Sequence, residues 1–218
     1  MNLAILSESP ADEAAVRILA ESALARPVAV VETPVRRPGG ISGVLRAIEP
    51  VMQWLHYRRR AEALVVVVDS NNSPVHPGPI EAPCSVSNAC RLCRIRRAIE
   101  DVQRSLSTVA YGPIHTAVGL AAPAIEAWYL CGEDPNVSES AWVRGQQEGR
   151  PPYTKEQLKK LVYGKDQYGL AEETECAIAE MGRIARDLGL LERKFPIGFG
   201  ALLHDLRGWA GSGQVTLD

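Results

Sequence analysis

This chain lacks a charge excess of either sign: Lys and Arg total 24, Asp and Glu 26, and the formal net charge is −2. That excludes a global pull toward nucleic acid, so any phosphate contact must come from local clusters such as Arg58-Arg59-Arg60 or Arg91, Arg94, Arg96 and Arg97. It lacks any apolar run near the roughly 18 residues of a membrane span, so no membrane is expected. The stretch Met1 to Glu8 has no basic residue and meets a carboxylate after one short apolar run, which argues against a signal peptide. Without an export signal, the five cysteines read as reduced thiols or metal ligands, and the expected setting is cytoplasmic. Gly-x-Gly-x-x-Gly, the P-loop and Gly-x-Ser-x-Gly are all missing, which leaves nucleotide cradling and serine hydrolysis without support. There is no internal repeat and no low-complexity tract.

What is present is an alternation of short apolar runs with helical periodicity. Leu3 to Leu6 reads as a first strand, and Ser9-Pro10-Ala11-Asp12 as the capped start of a helix to about Ala25. Val28 to Val31 and Leu64 to Val68 are further strands, and a fourth lies within His115 to Leu120. Between them, Ile41 to Leu55 keeps helical spacing with a kink or break expected at Pro50. Leu92, Ile95, Ile99, Val102 and Leu106 mark a helix of period 3.6. Pro123 is expected to open the helix that holds Glu126. Over residues 1–131 this predicts an α/β unit with an open, mostly parallel, doubly wound sheet. Beyond Gly132 the texture changes to a polar loop, Gly145 to Pro152, then helices near 154–163, 172–188 and 196–209. Residues 132–218 therefore read as a helical C-terminal extension packed on the α/β domain. Ile178, Met181, Ile184, Leu188 and Leu191 are its best-patterned apolar set.

Three acids stand where strand ends of such a sheet converge: Glu8 after the first strand, Asp69 after the third, and Glu126, the only charge from Ala117 to Cys131. Carboxylates gathered in one crevice repel unless a cation or shared protons hold them, and a magnesium-type site is the simplest reason to collect them. Glu126 lies in an apolar segment, where an ionised carboxylate must be paired with an arginine or bound to metal. Asp12 reads equally as a helix-capping acid or an assisting ligand. Asn71, two residues after Asp69, could face the same cation, because alternate residues of an extended chain point the same way. A second constellation is His76, Cys84, Cys90 and Cys93, within a loop-like insertion at about 70–93 that has few apolar residues. This is the inventory of a structural Cys₃His zinc site, with His76 the least secure ligand; buried thiols or a redox pair would explain the same cysteines.

Taken together, Glu8-Ser9-Pro10-Ala11-Asp12, Asp69-Ser70-Asn71 and Glu126-Ala127-Trp128-Tyr129-Leu130 resemble the Toprim (topoisomerase–primase) domain. The likeness is to the small stand-alone proteins related to OLD nucleases of phage defence. It covers residues 1–131, and departs from the family where Ser9 replaces a glycine and Asn71 replaces the second acid of Asp-x-Asp. The resemblance implies a Mg²⁺- or Mn²⁺-dependent nuclease on DNA or RNA. Glu8, Asp69 and Glu126 would be catalytic and metal-binding, with Asp12 and Asn71 assisting. Arg94, Arg97, Lys155 and Lys159 would then form backbone-phosphate tracks, although such runs also occur as solvated helix faces. It implies a separate ATPase partner, with the tail from Tyr153 to Trp209 as docking surface unless its last helix packs back on the sheet. The neutral Asn71 keeps open a catalytically degenerate subunit or regulator.

Overall fold

In a computed structural model the described residues are 1–35, 39–58, 61–79, 82, 84–106, 114–165 and 168–211. Among the expectations above, Arg59 and Arg60 lie outside them. The chain forms an α/β structure with strands β1 (Asn2–Leu6), β2 (Ala29–Val30), β3 (Ala63–Asp69) and β4 (His115–Ala121) in one sheet of order β2-β1-β3-β4. All its pairings are parallel, as the strand–helix alternation predicts. After β1 the chain steps outward to β2, then returns to lay β3 on the other side of β1. Connections therefore leave β1 and β3 in opposite directions, and a crevice opens at their carboxyl ends.

The helices that cover this sheet are α1 (Pro10–Leu24), α2 (Gly40–Arg58) and α3 (Arg91–Ser105), with α4 (Glu126–Tyr129) after β4. Alternate strand residues enter opposite cores. Leu3, Ile5, Val65 and Val67 meet α1 and the C-terminal helices, whereas Ala4, Leu6, Leu64, Val66 and Val68 meet α2 and α3. Both helices keep the period of their apolar residues: Val44, Ile48, Val51, Met52 and Leu55 on α2, and Leu92, Ile95, Ile99 and Val102 on α3. Pro50 does not break α2, which runs through it. The buried face on both sides of Pro50 holds the helix together despite one missing backbone donor. Nor does Pro123 open a helix: it follows a cis peptide bond after Ala122, and Glu126 is the first residue of α4.

The C-terminal part comprises α5 (Glu139–Gln147), α6 (Lys155–Tyr163), α7 (Leu170–Ile184), α8 (Leu188–Lys194) and α9 (Gly198–Gly211). The segment from Gly145 was expected to be loop, and α5 occupies its first residues. Its signal was the N-cap Ser138, which accepts from Ala141 N, followed by the acidic Glu139. Of the expected stripe, Met181, Ile184 and Leu191 are buried and Leu188 packs against the core, but Ile178 is 47% exposed and Ala177 takes its place on the inward face of α7.

The last helix resolves the choice left open above. Phe195, Phe199, Leu202, Leu203, Leu206 and Trp209 are all buried, and α9 packs on β4 and α1. Its apolar face covers its own sheet and is not free to dock an ATPase. Asp205 seals the β4 edge by accepting from Val118 N at 3.0 Å and from Arg96 of α3 at 2.6 Å. Glu139 accepts from Ile197 N and Gly198 N, both at 2.7 Å, and thereby caps the start of α9.

Gly198 is where that start presses on β4: a Cβ there would lie 1.9 Å from the Leu120 carbonyl oxygen and 2.9 Å from Glu139 Oε1. Gly198→Ala should therefore destabilise the protein by about 2–3 kcal/mol or more in urea denaturation. Gly182→Ala, in α7 with nothing within 4 Å, should be neutral or stabilise slightly. Equal effects from the two substitutions would contradict the close approach of α9.

Candidate functional site

Asp69 ends β3 in register with Ala121 of β4, and three elements meet its polar atoms. Its Oδ1 accepts from Ile125 N at 3.0 Å, its Oδ2 pairs with Lys155 Nζ, and its carbonyl accepts from Arg91 Nη1 at 2.7 Å. Arg91 also reaches Glu8 Oε1 at 3.8 Å, so one guanidinium spans the gap between the β1 and β3 ends. Glu126, 2% exposed, begins α4; its Oε1 lies 3.5 Å from Lys159 Nζ and accepts from Tyr163 Oη at 3.4 Å. Lys159 also reaches Glu173 of α7 at 3.5 Å. Asp12 stands in the first turn of α1, its backbone N–H held by the N-cap Ser9. Glu8, Asp12, Asp69 and Glu126 thus line one crevice, and Lys155, Lys159 and Arg91 project into it.

The electrostatics reflect crowding of like charge. Burial pushes the Glu8 carboxyl up, and Asp69 adds to the effect. Burial, then Asp69 and Glu126, raise Asp12 to about 7. Glu126 is raised by burial and then by Asp69, with Lys159 opposing. Burial pulls the Lys155 ammonium down, but Asp69 and Glu126 outweigh it and the net shift is upward. Tyr129 and Tyr163 are raised by burial and the surrounding carboxylates, which keeps both phenols neutral. Glu8 Oε1, Glu126 Oε2 and Tyr129 Oη are buried without a hydrogen-bond partner. A native site seldom leaves buried acceptors unsatisfied, and an unfilled cation position is one reason for it.

Two expectations are changed. Asn71 does not share an extended face with Asp69, because β3 has ended and Asn71 adopts a left-handed conformation (φ 48°). Its N–H bonds Pro123 O at 2.7 Å, and Ser73 N closes a turn on Ser70 O. Asparagine tolerates that conformation better than most residues, which is reason enough for it there. Secondly, Lys155 and Lys159 do not form a separate surface track. They stand four apart on α6, one face of a helix, and pair with the acids. Of the arginine run, Arg91 joins the crevice and Arg96 ties α3 to α9, whereas Arg97 reaches Asn88 and Ser87. Arg94 is half-buried on α3. Tyr129, Tyr163 and Glu173 were missed. The spacing Lys155, Lys159, Tyr163 was the available signal for α6, and nothing local pointed to the other two.

Beside this crevice the insertion forms a second cluster. One ligand atom each from His76, Cys84 and Cys93 lie within 4.8 Å of one another, and these three could hold a metal ion. His76, expected to be the weakest member, is buried and belongs to the group, whereas Cys90 sits one step out with its thiol against Cys93. Burial and then contact with Cys84 push the Cys93 thiol up to about 12. All five cysteines are free. Among the described residues no acidic group gathers as tightly: the carboxylates are held apart by the interposed ammoniums. No family model, curated protein or solved structure matches this chain.

Because the Asp12 carboxyl is raised in the folded state, folding favours its neutral form. Its contribution is full below the ordinary value of 3.8 and is lost as pH rises through about 7. Asp12→Asn should therefore raise the Tm at pH 8 by several degrees more than at pH 5, as read by thermal unfolding across pH. A parallel pH profile for variant and wild type would show that Asp12 carries no such strain.

Proposed function

We propose that the chain is a Toprim-like nuclease, a Mg²⁺- or Mn²⁺-dependent phosphodiesterase acting on DNA or RNA. The observation that carries this reading is the pair of buried carboxylate oxygens without a hydrogen bond, Glu8 Oε1 (with only a 3.8 Å ion pair to Arg91) and Glu126 Oε2, flanking Asp69 at the carboxyl ends of β1, β3 and β4. Oxygen-rich, acidic and partly desolvated, the crevice suits a hard divalent cation, with Glu8, Asp69 and Glu126 as its holders and Asp12 assisting. Such a cation supplies Lewis-acid charge that lowers the pKa of a water and steadies a leaving oxygen.

The protein's own groups account for the rest. Asp12, raised to about 7, is matched to accept a proton from an attacking water near neutral pH. Arg91, Lys155 and Lys159 place positive charge where a phosphodiester would lie, which answers the absence of net basicity in the whole chain. The neutral phenol of Tyr163 donates to Glu126 Oε1, and that of Tyr129, without a hydrogen-bond partner of its own, can donate to a bound group. A cleft of about 840 Å³ opens next to the turn after Asp69, lined by Asn72, His76, Val86, Arg144, Gln147 and Ile197, and offers room for the rest of a nucleic-acid strand. The same reading assigns a structural zinc to His76, Cys84 and Cys93, since imidazole and thiolates suit that borderline-soft ion. It also includes the defence role and the partner ATPase, which must dock elsewhere than on the apolar face of α9.

A second reading is favoured by one specific contact. Lys155 sits on Asp69 as a tethered cation, and Asn71 brings no second charge, which would suit a degenerate regulatory subunit. Nuclease assays on single- and double-stranded DNA and RNA with Mg²⁺ or Mn²⁺ distinguish the two. Cleavage by the wild type, reduced about 100-fold or more by Glu8→Gln and by Asp69→Asn with Tm preserved, is the expected outcome. A wild type inert on every substrate would transfer the assignment to the regulator.

A further inference from the structure

The described residues of the segment 70–90, which joins Asp69 to Arg91, contain neither helix nor strand. Connections longer than about 12–15 residues without their own secondary structure are uncommon in compact domains. Among the described residues of this one, Val75 and Cys90 are the only buried apolar side chains, too little to offset the entropy of ordering it. A cross-link is the remaining way to fix such a loop, and the His76, Cys84 and Cys93 group lies inside it.

The ring of His76 is already set for ligation. Its Nδ1 lies 3.0 Å from the Gly78 carbonyl oxygen. A carbonyl can only accept, so Nδ1 carries the proton and Nε2 keeps its lone pair, the second-shell arrangement typical of a metal-bound histidine. With His76, Cys84 and Cys93, a tetrahedral zinc is one ligand short. Cys90, outside the 4.8 Å group but interacting with both Cys93 and Cys84, is the candidate its contacts favour. It is fully buried, its thiol lies against Cys93, and as N-cap of α3 its side chain makes no capping hydrogen bond. The backbone between Cys84 and Cys93 is folded back on itself by Ser87 N to Cys84 O, Cys90 N to Val86 O and Arg94 N to Cys90 O. Cys90 and Cys93 bracket Arg91, which bonds the Asp69 carbonyl and reaches Glu8.

We propose that Cys90 completes a Cys₃His zinc clip with Cys84, Cys93 and Nε2 of His76, and that this clip fixes the first turn of α3 and so holds Arg91 between Glu8 and Asp69. It rests on the zinc reading given above, returns Cys90 to the ligand set that the sequence suggests, and adds the link to the acidic crevice. Zinc enters as the three thiols release their protons to solvent, with the imidazole neutral. The clip ties the loop to the start of α3, so metal loss frees the helix N-terminus without touching the sheet.

The test uses the full chain, purified reduced, with zinc content by elemental analysis and Co²⁺ as a spectroscopic substitute. About one zinc per chain is expected, with thiolate-to-cobalt charge-transfer bands in the near ultraviolet. Cys90→Ser should weaken zinc binding about tenfold or more, as Cys84→Ser and Cys93→Ser do, and diminish the charge-transfer intensity. Cys176→Ser, on α7, should change neither. Stripping the zinc should speed hydrogen exchange at the Cys90 and Arg94 amides while β3 and β4 stay protected. Zinc retained at full affinity in Cys90→Ser would remove Cys90 as a ligand. Unchanged exchange at those amides after stripping would break the link to Arg91. A chain that binds neither zinc nor cobalt would overturn the zinc reading itself, and the clip with it.

Discussion

The contacts of Asp69 hold the candidate site together. One residue at the end of the most buried strand receives the α4 turn through Ile125 N–H, α6 through Lys155, and α3 through Arg91 on its carbonyl. Three helices are thus referred to one strand terminus. The pairing of β3 with both β1 and β4 fixes that terminus in space. Whatever chemistry the crevice performs, its geometry is set by a sheet interior rather than by loops, as precise sites require.

Around that anchor the molecule accumulates an electrostatic conflict. Glu8, Asp12 and Glu126 are all pushed toward their neutral forms, first by burial and then, for each, by the charge of Asp69. The ammoniums of Lys155 and Lys159 answer the conflict without removing it, since Glu8 Oε1 and Glu126 Oε2 stay unbonded. A fold under selection for stability alone would replace such a cluster with apolar packing, because buried ion pairs seldom repay their desolvation. Retained strain of this kind is the mark of a site built for a ligand.

Much of this was legible in the sequence, for identifiable reasons. The runs Leu3 to Leu6 and Leu64 to Val68 could only be buried parallel strands, and the acids that follow them had to meet. Glu126 stood out because nothing apolar around it could solvate a charge. What sequence could not supply was the tail. Lys155 and Lys159 belong to a helix more than eighty residues after Asp69 in the chain, and no local pattern says that it folds back over the crevice. Asn71 misled because the extended-chain argument assumed that β3 continued past Asp69, whereas a turn begins at once. The apolar face of α9 was read correctly as a face, but its amphipathic pattern alone does not say whether it covers the protein's own sheet or a partner. Packing against Gly119 and β4 settles that.

We proposed that the acidic crevice is a divalent-cation site whose place is held by lysine ammoniums. Anomalous scattering from crystals grown with Mn²⁺ addresses this directly. A manganese peak among Glu8, Asp69 and Glu126, with the Lys155 ammonium displaced from Asp69, is the expected result. A crystal with Lys155 still seated on Asp69 and no anomalous peak in the crevice, at millimolar Mn²⁺, would contradict it.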